Sequence, residues 1–422
     1  MLTSSALETT DVSLDEAAAM SGARRWRRLR SVTLPLVGPS IMAGVFFAVV
    51  FALEAFAEPT LIGGPVQFQT LTTNIYIALS NFPIKYSTAS AIAVPLMIVT
   101  IGLVYFQTRL QGNRSFVALS GKSGSAASIT SGYSKTAKRL LMLVPLVYVI
   151  ITDLLPMYML VQASLQPFVS PTITVLNFNN YLSVFGDQVA MKSILNSFIA
   201  SFVGLIFSMI WMFVLAYVLH RGRFKGRRIA TYVATLPIAV PGVVFGAALL
   251  WMWLRSPIPI YGTLGLVTIA LLVRYSPYVF RSVSAAMEQF DIGLEESARM
   301  SGAGRIRVLW DVVFPLVRPA LLSGAIIFAI FAFRDLNASV LLQGPNSTTF
   351  SVEIFRMWDD GRFPEVAASA VIQTLILLVL YVIARWVAAA SSKDRISQPS
   401  KIRTQRTPKV ATQPRTEAPI KS

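Results

Sequence analysis

The sequence predicts an all-α membrane protein with eight transmembrane helices: a complete six-helix unit preceded by the last two helices of a second copy. Three observations carry this. The 422 residues are 54% hydrophobic and only 14% charged, with a mean hydropathy of +0.61, far from the balance of a soluble domain. Apolar runs long enough to cross a bilayer as helices recur along the chain. One pattern also occurs twice in the same register, since 296−16 and 302−22 both equal 280.

The first copy of that pattern is Glu16-Ala17-Ala18, Gly22, then Val32-Thr33-Leu34-Pro35. The second is Glu296-Ser297-Ala298, Gly302, then Val312-Val313-Phe314-Pro315, and Met20-Ser21-Gly22-Ala23 recurs unchanged at Met300-Ser301-Gly302-Ala303. Ser13 and Glu16 read as a capping box; Gly293 takes the capping position in the second copy. Small side chains follow, and Gly22 or Gly302 supplies the residue that most readily ends a helix with positive φ. A further helical stretch is expected to run to Pro35 or Pro315. Such a helix can lie in a groove of a soluble partner or rest on the bilayer surface; two copies at one spacing favour the partner.

Spans are expected near 39–57 and 87–107, then 140–162, 193–217, 230–254, 262–280, 319–335 and 365–388. Residues 1–108 thus form a motif with two helices, and 140–390 a six-helix unit. The repeat extends beyond the motif: Pro39 matches Pro319 and Gly64-Pro65 matches Gly344-Pro345, so the first unit corresponds to the final third of the second. Nothing but a short polar stretch precedes Glu16, so the first half is expected to be truncated, misassigned at its start, or completed by another polypeptide. Between the units, 109–139 is rich in Gly, Ser and Lys and reads as a flexible cytoplasmic linker. The basic tail 391–422 is expected to be disordered and cytoplasmic, lying against anionic lipid.

The net charge of +17 does not indicate nucleic acid, because Lys and Arg gather in alternate loops. Arg24, Arg25, Arg27, Arg28 and Arg30 form one group; Arg221, Arg223, Lys225, Arg227 and Arg228 a second; Arg299, Arg305, Arg307 and Arg318 a third. That bias places both motifs and both termini in the cytoplasm of a multi-pass cell-membrane (inner-membrane) protein. Zero cysteines exclude a disulfide framework and thiol chemistry. Gly121-Lys122-Ser123 imitates a phosphate loop but lacks its first glycine and its strand–helix frame. The lone His220 sits among arginines, and no catalytic cluster is spaced for chemistry. No enzyme, cofactor or resident metal site is expected. Glu54 and Arg334 hold equivalent repeat positions near span ends, with Glu58 and Asp335 close by. These four either line a pathway, where a hard cation would favour the oxygens, or reach the interface and pair between the halves. Pro237, Pro241, Gly242 and Pro277 either loosen moving helices or serve as packing kinks.

Glu-Ala-Ala, three residues, Gly, nine residues and Val-x-Leu-Pro resembles the cytoplasmic signature of permeases in binding-protein-dependent ABC importers. Ser297 and Phe314 are mild departures. Leu236-Pro237 with Pro241-Gly242, Arg274-Tyr275-Ser276-Pro277 and Asn196-Ser197 add to the likeness, which covers about residues 1–390. The resemblance implies that Glu16, Ala17, Ala18 and Gly22, with Glu296, Ser297, Ala298 and Gly302, form coupling helices that dock on a separate ABC ATPase subunit dimer. It also implies an extracytoplasmic substrate-binding protein as a partner. Two fused halves, the run Leu336–Leu342 and Gly361-Arg362-Phe363-Pro364 resemble the ferric-iron type. Iron is the favoured cargo; thiamine, phosphonate or polyamine, or an ATP-independent channel or scaffold, are the alternatives.

Overall fold

The computed structural model describes residues 17–18, 20–111, 135–170, 172, 175–222 and 225–396. Ser13, Glu16, the phosphate-loop mimic at 121–123, most of the expected linker and the tail beyond 396 lie outside them. The described residues are helical, with no strand among them. Among the described residues six helices are long and apolar enough to cross a membrane, or eight if each of two bent pairs counts as one span.

Five of the six unbent spans fall close to their expected places: Tyr86–Phe106, Met142–Ser164, Gln188–Arg221, Leu264–Gln289 and Phe363–Trp386. The last of these helices continues to Ile396, so it enters the segment expected to be a disordered tail. Near 319–335 the span starts earlier, at Arg305. The apolar run 230–254 is not one straight span. Arg227–Ala239 and Gly242–Leu254 meet at 105°, because Pro241 cannot donate the helix bond and disfavours helical geometry just before it. The first span likewise breaks after Glu54, by 55°.

Pro35 and Pro315 do not end the helical stretch before them, as the sequence led us to expect. One turn of π-helix precedes each, Leu29–Thr33 and Leu309–Val313. Leu34 N–H donates to Leu29 O and Phe314 N–H to Leu309 O, five residues back. Widening the turn removes the clash between the proline ring and the carbonyl four residues earlier, so the helix runs on into the membrane. Ile150–Leu154 does the same ahead of Pro156.

The helices Gln188–Arg221, Leu264–Gln289 and Phe314–Phe333 pack on one another as the centre of the second unit, and Phe363–Ile396 covers Phe314–Phe333. Leu266, Leu271, Val279, Val283, Val317 and Phe328 are fully buried there. Close approach depends on Gly324: a Cβ at this position would stand 2.8 Å from Val279 Cα and 3.2 Å from Ser282 Oγ. Small residues serve this purpose in membrane helix pairs, where packing replaces the hydrophobic drive. Gly324→Val should therefore lower the free energy of unfolding by about 3 kcal/mol, read as an earlier midpoint in a detergent-denaturation titration.

The first unit is docked on the second. Leu71–Ser80 and Tyr86–Gln111 touch Gly242–Leu254. Phe56, Tyr76 and Phe355 form an aromatic cluster across the boundary, with ring centroids 5.1 to 5.9 Å apart. Tyr86 packs edge-on against Trp251 at 4.8 Å, and the Arg255 guanidinium lies over the Trp251 ring, an attraction of cation and π face.

Candidate functional site: two docking loops and a cavity between the units

In the second loop the helix Gly293–Met300 is short and ends at Gly302, whose φ is +88°. In the first loop Gly22 has φ +76°. Ala303 N–H donates to Ala298 O at 3.1 Å, and Ala23 N–H to Ala18 O at 3.1 Å, the six-to-one bond of a Schellman ending that needs a left-handed residue. Ser301 Oγ donates to Ser297 O, and Ser21 Oγ to Ala17 O. The two loops thus share backbone geometry as well as sequence. Gly293 is not the cap expected for it. Its N–H donates to Asp291 Oδ1 at 3.0 Å, so the carboxylate two residues earlier satisfies the helix start, as a short acceptor side chain does best.

Both loops present the same face. Ala17, Gly22, Glu296, Ser297 and Gly302 are exposed, while Ala18 and Ala298 are half-buried. Met20 and Met300 are each 90% exposed, and the equivalent pair Trp26 and Ile306 are 72% and 76% exposed. Large apolar side chains are thus exposed at equivalent places in both copies.

From each loop a helix, Leu34–Glu54 or Phe314–Phe333, runs about 30 Å to a single cavity of about 240 Å³ between the units. Each loop is thus joined by one helix to the same cavity. Glu54, Glu58, Arg334 and Asp335 all line that cavity, together with Arg274 and Tyr275. The structure therefore gathers the four charged residues singled out from sequence, but gives them different surroundings.

Glu54 pairs with Arg274 of the second unit. Arg274 also donates from Nη1 to Val240 O at 2.9 Å and lies 3.9 Å from Asp335 Oδ1. Tyr275 OH donates to Asp335 Oδ1 at 2.6 Å. Asp335 Oδ2 accepts from Ala338 N, Ser339 N and Ser339 Oγ, so this buried carboxylate caps the short helix Ser339–Leu342. A buried charge is tolerable only when paired and hydrogen-bonded this fully. Arg334 and Glu58 keep exposed side chains at the cavity wall. No group of three or more His, Asp or Glu side chains suited to a metal ion occurs among the described residues.

The sequence marked Arg274 and Tyr275 only as family landmarks and Arg221 only as one of a basic loop group, and it did not single out Glu295. An arginine inside an apolar run was itself a signal, since intramembrane charge is costly. Gly242 is needed beside it: a Cβ there would come 2.5 Å from Asn337 Cβ and 3.0 Å from Arg274 Cζ. His220 Nδ1 lies 3.4 Å from Arg227 Nη2 at a helix end.

With this geometry established, comparison with known proteins gives the lineage. The family model "Binding-protein-dependent transport system inner membrane component" matches residues 1–112 and 212–396, more than half the chain. The chain belongs to this family. A ferric transport system permease protein FbpB of Actinobacillus pleuropneumoniae is 25% identical over 392 residues, which is 92% of this chain and 56% of that protein. A putative ferric transport system permease protein FbpB 1 of Haemophilus influenzae is 25% identical, covering 83% of this chain and 55% of its own length. The chain thus spans about half the length of these relatives. A putative 2-aminoethylphosphonate transport system permease protein PhnV of Salmonella choleraesuis is 30% identical over 155 residues, 36% of this chain and 58% of that one. The crystal structure of a bacterial ABC transporter involved in the import of the acidic polysaccharide alginate matches with a TM-score of 0.51 at 17% identity. That match covers 60% of this chain and 96% of the other, a likeness of fold.

Proposed function

We propose that this chain is a permease subunit of an ATP-driven importer, with ATP hydrolysed by a separate dimer of ABC ATPase subunits. One observation carries the reading: two loops of matching geometry each lead into a helix whose far end lines one shared cavity. A pair of ATPase subunits seated on Ala17, Ala18, Gly22 and, in the second loop, Glu296, Ser297, Ala298 and Gly302 would move both helices together. Glu16 completes the first set by its place in the motif. The cavity, with Glu54, Glu58, Arg334 and Asp335 in its wall, is the candidate pathway, and a soluble extracytoplasmic binding protein would deliver cargo to its far side. Each partner acts only through its different affinity for the inward- and outward-open states. The alternating basic loops support a cytoplasmic position for both docking loops and both termini.

Ferric iron is the proposed cargo, supported by the relatives that cover most of this chain, which are named for ferric transport. The test is uptake into vesicles holding the chain, its ATPase and its binding protein, with ferric iron, 2-aminoethylphosphonate, thiamine and putrescine offered separately. ATP-dependent accumulation of iron alone is expected. Accumulation of another solute would replace the cargo, and transport indifferent to ATP with no bound ATPase would favour a channel or scaffold.

A further inference from the structure

Two adjacent glutamates open the second docking helix, and they face opposite ways. Glu296 is exposed. Glu295 is 4% exposed, and its Oε1 accepts from Arg221 Nε at 2.5 Å. Its Oε2 lies 3.4 Å from Tyr217 OH and 3.7 Å from Arg299 Nη2. Arg221 is the last residue of the helix Gln188–Arg221, so a buried, charge-assisted contact clamps the docking helix to the end of a membrane span.

That span is 34 residues long, about 50 Å, and contains no proline, unlike Leu264–Gln289 with Pro277 and Phe314–Phe333 with Pro319. Near its opposite end it grips the segment leading into the helix Phe350–Asp359. Lys192 Nζ donates to Asn346 Oδ1, and Asn196 Nδ2 to Asn346 O and Thr348 O. Ser197 Oγ accepts from Phe350 N at 2.8 Å. Phe350–Asp359 carries Phe355 into the aromatic cluster with Phe56 and Tyr76. One continuous, proline-free helix therefore joins the docking helix to the contact between units at its other end.

We propose that Glu295 and Arg221 are positioning residues that pass movement of the docking helix to this long helix, and through it to the Phe56–Phe355 contact, without themselves touching the ATPase. The proposal rests on the importer reading for its transport consequence, but the role of the long helix can be tested without it. In the assembled complex, Glu295→Gln is expected to keep the bound ATPase and its hydrolysis while uptake falls about tenfold, within the range of allosteric coupling. The conservative Glu295→Asp should recover part of that loss while the denaturation midpoints of the two single variants in detergent stay equal, a split that a role in folding alone would not produce. Since the chain has no cysteine, Phe56→Cys with Phe355→Cys reports on the far end directly in the full chain in lipid. The disulfide yield of that pair should shift about twofold or more on Glu295→Gln. An unchanged disulfide yield would overturn the proposal, whether or not an ATPase binds; loss of bound ATPase in parallel with uptake would make Glu295 a contact residue instead. Absence of an ATPase on the unaltered chain would count against the importer reading alone.

Discussion

Arg274→Met is expected to be the most damaging single substitution at the boundary between the units, lowering the free energy of unfolding by about 3–5 kcal/mol. Arg274 is the cation facing both Glu54 of the first unit and Asp335 of the second. Removing it takes the facing cation from Glu54 and from the buried Asp335, and breaking a buried pair by removing one partner costs far more than the pair contributes when intact. Glu54→Gln should be milder, because Arg274 keeps Val240 O and the nearby Asp335. The combination Glu54→Leu with Arg274→Met should recover only the part of the loss that Glu54 causes, since an apolar pair replaces that ion pair while Asp335 still lacks its cation. Denaturation midpoints of the four proteins in one detergent decide this. Equal midpoints for Arg274→Met and the unaltered chain would mean that the ion pair does not hold the units together.

Gly302→Val should have the largest effect on partner binding. Its φ of +88° lies in the left-handed region, which a side-chain-bearing residue occupies at a cost of about 1–2 kcal/mol and a β-branched residue at more. The loop would escape by unwinding its Schellman ending, moving Met300 and Ile306 out of their shared face. Gly22→Val should act in the same way on the first loop, at φ +76°, and the two together should nearly abolish recovery of the ATPase. Gly102→Ala is the control: no atom stands within 4 Å of a Cβ there, and Ala is the better helix former. Recovery of the ATPase undiminished by both valines would remove the loops from the interface.

How much of this was legible in the sequence depends on what each feature requires. Spans such as Gln188–Arg221 are set by length and hydropathy alone, so they could be read directly. The turn at Pro241 was legible only in part: Pro241 and Gly242 were singled out as loosening or kinking residues, but the run 230–254 is apolar on both sides of the bend, so hydropathy alone reads it as one straight span. Gly22 and Gly302 were readable because left-handed backbone nearly demands glycine. Glu295 was not, since motif spacing singles out Glu296, and which of two adjacent glutamates turns inward is decided by where Arg221 ends its helix. The charged set Glu54, Glu58, Arg334 and Asp335 was found as residues but not as roles. Repeat equivalence pairs Glu54 with Arg334, whereas the fold brings Glu54 to Arg274 through contacts more than 200 residues distant in sequence.

The central claim is that both loops are seats for one kind of soluble partner. Because the chain has no cysteine, Ala17→Cys and Ser297→Cys can each be the sole thiol in an otherwise unaltered protein. Both positions are exposed. Treated with a short thiol-reactive cross-linker in the presence of the ATPase, each variant is predicted to give a covalent adduct of chain and ATPase. Adducts from neither position, with the ATPase present and both thiols still reactive, would contradict the account.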